Sequence, residues 1–198
     1  VEKLSRQSEK QRHSYALITG HLVRHLIKFI DPSCLRITLL RDPIERHTSH
    51  YFYARSSPHH YLHEKIHSHQ MTLKDYVTSD LSEELRNWYT TYFSDLSIDQ
   101  AEANPDRSVA AALDTLTTSY DIVGTLESFG VFIESLRKRA RLWHSYPGSI
   151  HNPTPNRPLK SNLPPAAIEA IQATNRLDLA LYSAVRNRIA AEHGCTAG

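Results

Sequence analysis

The hydrophobic pattern is clearest at residues 35–40, where apolar residues stand close together. These residues are Leu35, Ile37, Leu39 and Leu40. A short, partly β-branched run of this kind is typical of a strand that is buried on both faces. Asp42 then offers a helix cap, Pro43 suits the first helical position, and Glu45 is placed to complete a capping box. The pattern predicts a buried strand that leads through a charged turn into a helix.

Other apolar runs predict further elements on both sides of this strand and helix. Upstream, residues 15–20 have the composition of a short strand, and apolar residues recur at helical spacing through 22–30. Downstream, the predicted elements are a loop at 56–61, a short capped helix at 72–77, a mostly helical region at 81–104, a helix at 109–116, a strand at 120–126, a helix at 129–142, an extended loop at 145–165 and one long final helix that begins at Pro165. Strands alternate with helices, which predicts an α/β fold with a parallel sheet flanked by helices.

Length and charge narrow the class of protein. A chain of 198 residues that is 40% hydrophobic suffices for one domain, so we expect a single domain over 1–198, with residues 1–13 as a frayed lead-in. The formal net charge of +2 gives no reason to expect a nucleic acid or an anionic membrane as partner. Two cysteines are too few for a disulfide scaffold. No apolar run approaches the roughly 20 residues that cross a bilayer, and the chain lacks a recognisable signal peptide, so a cytoplasmic location is favoured.

The end of the first predicted strand offers the chemistry of an anion site. Ligands gather at the carboxyl ends of strands in open α/β sheets, and a helix N-terminus there favours negative charge. Arg41 stands at this point with a permanently charged, planar guanidinium, and Ser49 offers a hydroxyl two turns into the helix. A phosphate site and an ordinary turn, in which Arg41 pairs with Asp42 or Glu45 on the surface, are both open interpretations.

The segment 39–53 resembles the phosphate-binding motif of sulfotransferases that use 3′-phosphoadenosine 5′-phosphosulfate (PAPS). It is most similar to the group that includes the heparan sulfate 2-O-sulfotransferases and bacterial relatives. Four further segments resemble parts of this family in the same order: the Gly-His segment at 18–21, a core strand at 121–129, a cofactor-covering loop at 151–158 and the terminal helix at 175–182. The resemblance covers most of the chain from residue 15 to residue 190.

This resemblance implies a P-loop-NTPase-like sulfotransferase fold and an enzyme that transfers a sulfuryl group from PAPS to a hydroxyl of a carbohydrate acceptor. By the same resemblance Arg41 and Ser49 hold the 3′-phosphate, Asn152 and Arg157 lie near the nucleotide, and no metal is required. His21 is then the candidate general base, because an imidazole accepts a hydroxyl proton near neutral pH. A histidine that follows a glycine is otherwise a common structural residue. Family members often carry a second polar residue two positions earlier, where this chain has Thr19.

One part of the family pattern has no counterpart in the sequence. Sulfotransferases of this kind hold the 5′-phosphosulfate with a lysine-containing loop close to Pro-Lys-x-Gly-Thr-Thr or Ser, and nothing in the 198 residues matches it. We therefore expect a partial domain that lacks its first βα unit, and an active and an inactive fragment are both open interpretations. The alternative is a noncatalytic nucleotide-binding remnant.

A second alternative comes from a motif outside the resemblance. The residues His63-Glu64-Lys65-Ile66-His67 match the H-E-x-x-H pattern of zinc peptidases. On a helix His63 and His67 would share one face, and Glu64 could activate a metal-bound water, which would make the protein a zinc-dependent hydrolase. Polar flanking residues and the lack of a placed third ligand favour a chance match in a chain with 13 histidines.

Overall fold

In the part of the chain that the structure describes, two parallel strands form a sheet, and the helices that follow residue 37 are arranged beside it. The computed structural model describes residues 6–12, 14–15, 17–20, 23–142, 154 and 157–194. The chain divides into two compact units, residues 1–36 and residues 37–198. The first unit contains helix α1 (Glu9–Arg12) and a 3₁₀ helix (Val23–Phe29). The strand predicted at 15–20 is wrong for its described residues, because no strand of that unit pairs with their backbone in the described part of the chain.

The second unit is mostly helical. Its elements in chain order are β1 (Ile37–Leu40), α2 (Pro43–Ser56), α3 (His63–Ser68), α4 (Leu73–Val77), a 3₁₀ helix (Glu83–Leu85), α5 (Trp88–Ser94), α6 (Ile98–Ala103), α7 (Pro105–Ser119), β2 (Ile122–Thr125), α8 (Phe129–Arg139), a 3₁₀ helix (Lys160–Asn162), α9 (Pro165–Thr174) and α10 (Arg176–His193). The predicted α/β class is confirmed at this level.

The sheet of the described residues consists of β1 and β2, which pair in parallel. Ile37 lies opposite Ile122, and Leu40 lies opposite Thr125. Only Leu40 of β1 is buried, and the other three residues of the strand are half-buried. The prediction of a strand buried on both faces is therefore wrong for most of β1, because half-buried residues lie on both of its faces, Ile37 and Leu39 on one and Thr38 on the other.

The helix that follows β1 forms with the predicted cap and first-turn proline, but the predicted capping box is wrong, because the Glu45 carboxylate pairs with Arg41 and Arg157. The Asp42 carboxylate accepts hydrogen bonds from the backbone N–H groups of Ile44 and Glu45, and Pro43 occupies the first helical position. The buried residues of α2 are Pro43, Ile44, His47, Thr48, Tyr51 and Ala54. The opposite face of α2 therefore remains accessible at the carboxyl edge of the sheet.

The long final helix predicted from Pro165 is broken at Asn175. At this residue φ is −127° and ψ is 33°, which is not helical, and α10 begins at the next residue. The Asn175 side chain accepts a hydrogen bond from the Asn87 N–H and donates one to the Leu85 carbonyl. These contacts with a distant segment explain the break. The spacing of apolar residues along 165–193 gives no sign of it.

Two apolar clusters stabilise the second unit. One lies between α2, α3, α4 and α9, and includes Tyr51, Ile66, Tyr76 and Ile171. The other lies between α5, α7 and α10, and includes the buried end of β1 at Leu40. Among the described helices none has both the length and the apolar character needed to cross a membrane.

Candidate anion site at the carboxyl edge of the sheet

The carboxyl ends of β1 and β2 place charged residues side by side. Arg41 directly follows β1, and Glu127 comes shortly after β2. The Leu126 N–H donates to the Leu40 carbonyl at 2.9 Å, so the strand pairing continues up to this edge. The Arg41 N–H donates to the Tyr89 hydroxyl at 3.2 Å. The backbone of Arg41 is thereby fixed where the strand meets α2.

The N-terminus of α2 is already capped by its own carboxylate. Asp42 Oδ1 accepts from the Ile44 N–H at 2.8 Å and from the Glu45 N–H at 3.1 Å. The other oxygen, Asp42 Oδ2, lies 3.0 Å from Lys160 Nζ. These amides are therefore not available to a second anion, and the sequence-based expectation that the helix N-terminus itself holds the anion needs correction. An anion at this edge would be bound by side chains.

Two arginines from distant parts of the chain meet at one carboxylate. Arg41 Nη2 lies 3.6 Å from Glu45 Oε2, and Arg157 pairs with the same oxygen. The three side chains are about equally accessible, with exposed fractions of 25%, 24% and 21% for Arg41, Arg157 and Glu45. The Nε of Arg157 is buried and has no hydrogen-bond partner in the described part of the chain. One carboxylate, that of Glu45, thus pairs with two guanidinium groups, and the Arg157 Nε–H has no acceptor among the described residues.

The pKa values of Arg41 and Arg157 are both lowered, which agrees with an excess of positive charge at this position. Burial lowers the pKa of Arg41, although Tyr89, Glu127 and Asp42 oppose this effect. Burial also lowers the pKa of Arg157, and the positive charge of Arg41 lowers it further. The environment therefore penalises both cations, and a bound anion would stabilise them.

Two hydroxyl groups extend this cluster along α2. Ser49 lies one turn beyond Glu45 on the helix, and its Oγ lies 3.1 Å from Thr154 Oγ1. A hydroxyl can donate to a phosphate oxygen. We call the group formed by Arg41, Glu45, Ser49, Thr154 and Arg157 the carboxyl-edge site.

A further acid lies beside this site. Glu127 accepts a short hydrogen bond from the Tyr182 hydroxyl of α10. Burial raises the pKa of Tyr182, and the hydrogen bond to Glu127 adds to the increase. Tyr182 therefore keeps its proton and holds the Glu127 carboxylate in place near Arg41.

The structure brings Arg41, Ser49 and Arg157 to the same face of α2. It also contains the Arg41–Glu45 ion pair that the alternative interpretation of an ordinary turn predicts. The other two candidate residues, His21 and Asn152, lie outside the described residues. Their proximity to the site stays a prediction.

Sequence reasoning missed Thr154 and Glu127 as neighbours of the site. Glu127 had a usable signal, because it follows a predicted strand as Arg41 does, and parallel strands end at the same edge. Thr154 had a weaker signal, because it belongs to the segment 151–158 that resembles a cofactor-covering loop, but nothing in the sequence indicates its contact with Ser49.

A separate group of polar side chains is enclosed between α5 and α10. Asp178 is 1% exposed and accepts from the N–H groups of Tyr89 and Thr90 and from the Thr90 hydroxyl. The Asn87 side chain accepts from the Leu177 N–H. We call Asn87, Thr90, Asn175 and Asp178 the buried polar network. Its contacts join the start of α5 to the start of α10, which is a structural role.

The two histidines of the H-E-x-x-H pattern share one face of α3, as the spacing predicts. Their ring centroids are 4.4 Å apart. His63 Nδ1 lies 3.2 Å from the Ala54 carbonyl, and His67 Nε2 lies 2.9 Å from the Arg55 carbonyl. One nitrogen of each ring thus satisfies the last turn of α2. The described residues contain no group of three or more side chains suited to hold a metal ion.

Comparison with family models, with curated proteins and with solved structures finds no match for this chain.

Proposed function

We propose that the protein is a PAPS-dependent sulfotransferase whose carboxyl-edge site binds the 3′-phosphate of the nucleotide. The observation that supports this most is the meeting of Arg41 and Arg157 at Glu45, where Arg157 Nε has no hydrogen-bond partner among the described residues. Two guanidinium groups and a hydroxyl are the donors that a phosphate prefers. In this proposal the parallel strands belong to a P-loop-NTPase-like sulfotransferase fold.

The proposed reaction transfers a sulfuryl group from PAPS to a carbohydrate hydroxyl. The hydroxyl oxygen attacks sulfur, the bond from sulfur to the phosphate oxygen breaks, and adenosine 3′,5′-bisphosphate leaves. His21 accepts the hydroxyl proton. Arg41 and Ser49 hold the 3′-phosphate, while Asn152 and Arg157 lie near the nucleotide and no metal takes part.

Direct binding of adenosine 3′,5′-bisphosphate tests the site. We expect isothermal titration calorimetry to detect binding to the wild-type chain. Adenosine 5′-monophosphate, which lacks the 3′-phosphate, should bind at least tenfold more weakly. Arg41→Gln removes a charged donor, so it should weaken the bisphosphate by about 10- to 100-fold, which corresponds to the roughly 1.5–3 kcal/mol of a charged hydrogen bond.

Arg107→Gln is the matched control, because Arg107 is an exposed arginine in the first turn of α7. It should bind the bisphosphate as the wild type does. The proposal fails if the wild type does not bind adenosine 3′,5′-bisphosphate, or if Arg41→Gln and Arg107→Gln bind it equally well.

A noncatalytic nucleotide-binding protein is the second candidate. The absence of a Pro-Lys-x-Gly-Thr sequence from the 198 residues favours it. Transfer of labelled sulfate from PAPS to a mixture of polysaccharides, measured with the full-length gene product so that any lysine loop upstream is included, would separate the two, since the second candidate binds the bisphosphate without transfer. A His21→Ala variant should retain binding in both cases and lose transfer only in an enzyme.

A further inference from the structure

A pocket of about 500 Å³ lies on the side of α2, α3 and α4. We call it the side pocket. Its apolar lining residues are Tyr51, Phe52, Ile66, Met71, Leu73, Pro158, Leu163 and Pro164. Its polar lining residues are Arg55, His67, Gln70 and Thr72. This size falls in the range of small-molecule sites, which are mostly apolar and carry a few oriented polar groups.

The floor of the side pocket is part of the core and is therefore rigid. Tyr51, Ile66 and Leu73 are 2%, 1% and 6% exposed. They belong to the apolar cluster of α2, α3, α4 and α9, and Phe52 and Met71 pack against that cluster. An apolar ligand would find a surface that does not need to rearrange, which lowers the cost of binding.

The charge of the side pocket comes from Arg55. Its Nη1 donates to the Tyr51 hydroxyl at 3.3 Å, and that hydroxyl donates to the Met71 carbonyl at 2.7 Å. The guanidinium carbon lies 6.0 Å from the centre of the Tyr51 ring. Arg55 thus stands at the opening in a defined position, and no ion pair joins it to a carboxylate of the described residues. The lining residues that the structure describes include no Asp or Glu.

We propose that the side pocket binds a small aromatic anion, with its ring against Phe52 and Met71 and its negative group on Arg55. The apolar floor favours a flat ring, and the Arg55 guanidinium, which no carboxylate of the described residues pairs with, favours a negative substituent. The proposal does not depend on nucleotide binding. The pocket borders the carboxyl-edge site, since Phe52 lies one turn beyond Ser49 and Pro158 follows Arg157, but Arg41 is not among its lining residues.

Naphthalene-2-sulfonate is a suitable probe, and the neutral naphthalene-2-sulfonamide is its matched control. We expect the sulfonate to bind the wild-type chain in a calorimetric titration and the sulfonamide to bind about tenfold more weakly, because it lacks the charge that Arg55 meets. Arg55→Gln should abolish this preference for the sulfonate. Met71→Trp should fill the pocket and weaken both compounds.

Two variants elsewhere keep the result specific. Arg107→Gln should bind the sulfonate as the wild type does, and so should Arg41→Gln, which separates the side pocket from the carboxyl-edge site. If Met71→Trp does not fold, the affinities of the wild type and Arg55→Gln for the sulfonate and the sulfonamide still test whether Arg55 binds the negative group. Equal binding of both compounds, or binding that Arg55→Gln and Met71→Trp leave unchanged, overturns the proposal. So does a wild-type dimer in sedimentation that Met71→Trp dissociates, since the occupant would then be a second copy of the chain.

Discussion

The carboxyl-edge site and the buried polar network both bring together polar side chains from distant segments, yet they differ in how those groups are satisfied. In the buried polar network, Asp178 is enclosed and accepts three hydrogen bonds from the start of α5. In the carboxyl-edge site, two guanidinium groups share one carboxylate, and Arg157 Nε has no partner among the described residues. A network in which every buried polar group has a hydrogen-bond partner stabilises a fold, whereas a cluster with an unpaired donor can bind a ligand.

The difference predicts that Asp178→Ala has the largest effect on stability. It leaves the N–H groups of Tyr89 and Thr90 without an acceptor, and each unsatisfied buried donor costs about 1–3 kcal/mol. We expect the free energy of unfolding to fall by roughly 3 kcal/mol or more in urea titrations. Asp114→Ala, at an exposed position in α7, is the control and should change it by less than about 0.5 kcal/mol. Equal effects of both variants would remove the distinction between the two regions.

His47, a buried residue of α2, should make the stability of the protein sensitive to acid. Burial lowers its pKa from 6.5 to about 3, with a smaller contribution from Arg46, so the folded state keeps this imidazole neutral. Below pH 6.5 the unfolded chain binds a proton that the folded chain does not bind. The free energy of unfolding should therefore fall as the pH decreases, by about 1.5 kcal/mol between pH 6.5 and pH 5 from this residue alone.

Denaturation curves of wild type and His47→Gln at several pH values measure this contribution. The variant should lose that part of the pH dependence, whereas His59→Gln, at an exposed position, should keep it. Identical pH profiles for wild type and His47→Gln would contradict the prediction.

Arg157→Gln tests the open region through binding. We expect the affinity for adenosine 3′,5′-bisphosphate to fall about tenfold, because one charged donor is lost. The free energy of unfolding should change by less than about 1 kcal/mol, since a partly exposed ion pair contributes little. A large loss of stability without a loss of affinity would show that Arg157 has the structural role that Asp178 has.

Glu45→Gln should act in the opposite direction. Glu45 occupies the guanidinium groups of Arg41 and Arg157 and repels an incoming phosphate. Without its charge we expect the affinity for the bisphosphate to rise about fivefold, as estimated from the repulsion of like charges near a protein surface. Calorimetry in the same buffer as for Arg157→Gln gives the comparison. Unchanged or weaker binding would mean that Glu45 orients the arginines and does not compete with the ligand.

Treatment with a chelator should have the smallest effect of these changes, with no change in the melting temperature. His63 and His67 each use one ring nitrogen on a carbonyl of α2. We expect a chelator to leave the melting temperature unchanged in protein prepared without a nickel column. A stoichiometric zinc ion that is lost in His67→Ala would instead support the zinc-dependent hydrolase.

Local signals made the strand, cap and helix at 37–56 predictable. The Asp42 cap and Pro43 depend on neighbours within one turn, and both predictions are confirmed. The break at Asn175 was not predictable, because the apolar period continues across it and its cause is a pair of hydrogen bonds to residues 85 and 87. The incomplete burial of β1 was also not predictable, since the sequence of a strand does not tell how completely other elements cover its two faces.

The candidate site divides in the same way. The sequence was sufficient to predict that Arg41 lies at the end of a strand and that the Ser49 hydroxyl lies on the helix that follows it. The pairing of Arg157 with Glu45 could not, since no spacing rule connects a loop residue to a helix face far upstream. The histidine pattern at 63–67 predicts a shared helix face correctly, but its contacts with the end of α2 depend on how the 57–62 connection folds back.

The distance along the chain between Arg41 and Arg157 also bears on how the protein folds. Helix α2 and its cap can form early, because their contacts are local. The carboxyl-edge site needs the β1–β2 pairing and the contact of Arg157 with Glu45, so it carries the entropy cost of closing a long loop. Ligand binding at this edge would therefore report that Arg41 and Arg157 have come together at Glu45. A stopped-flow signal from a fluorescent nucleotide should appear after the helical signal in circular dichroism.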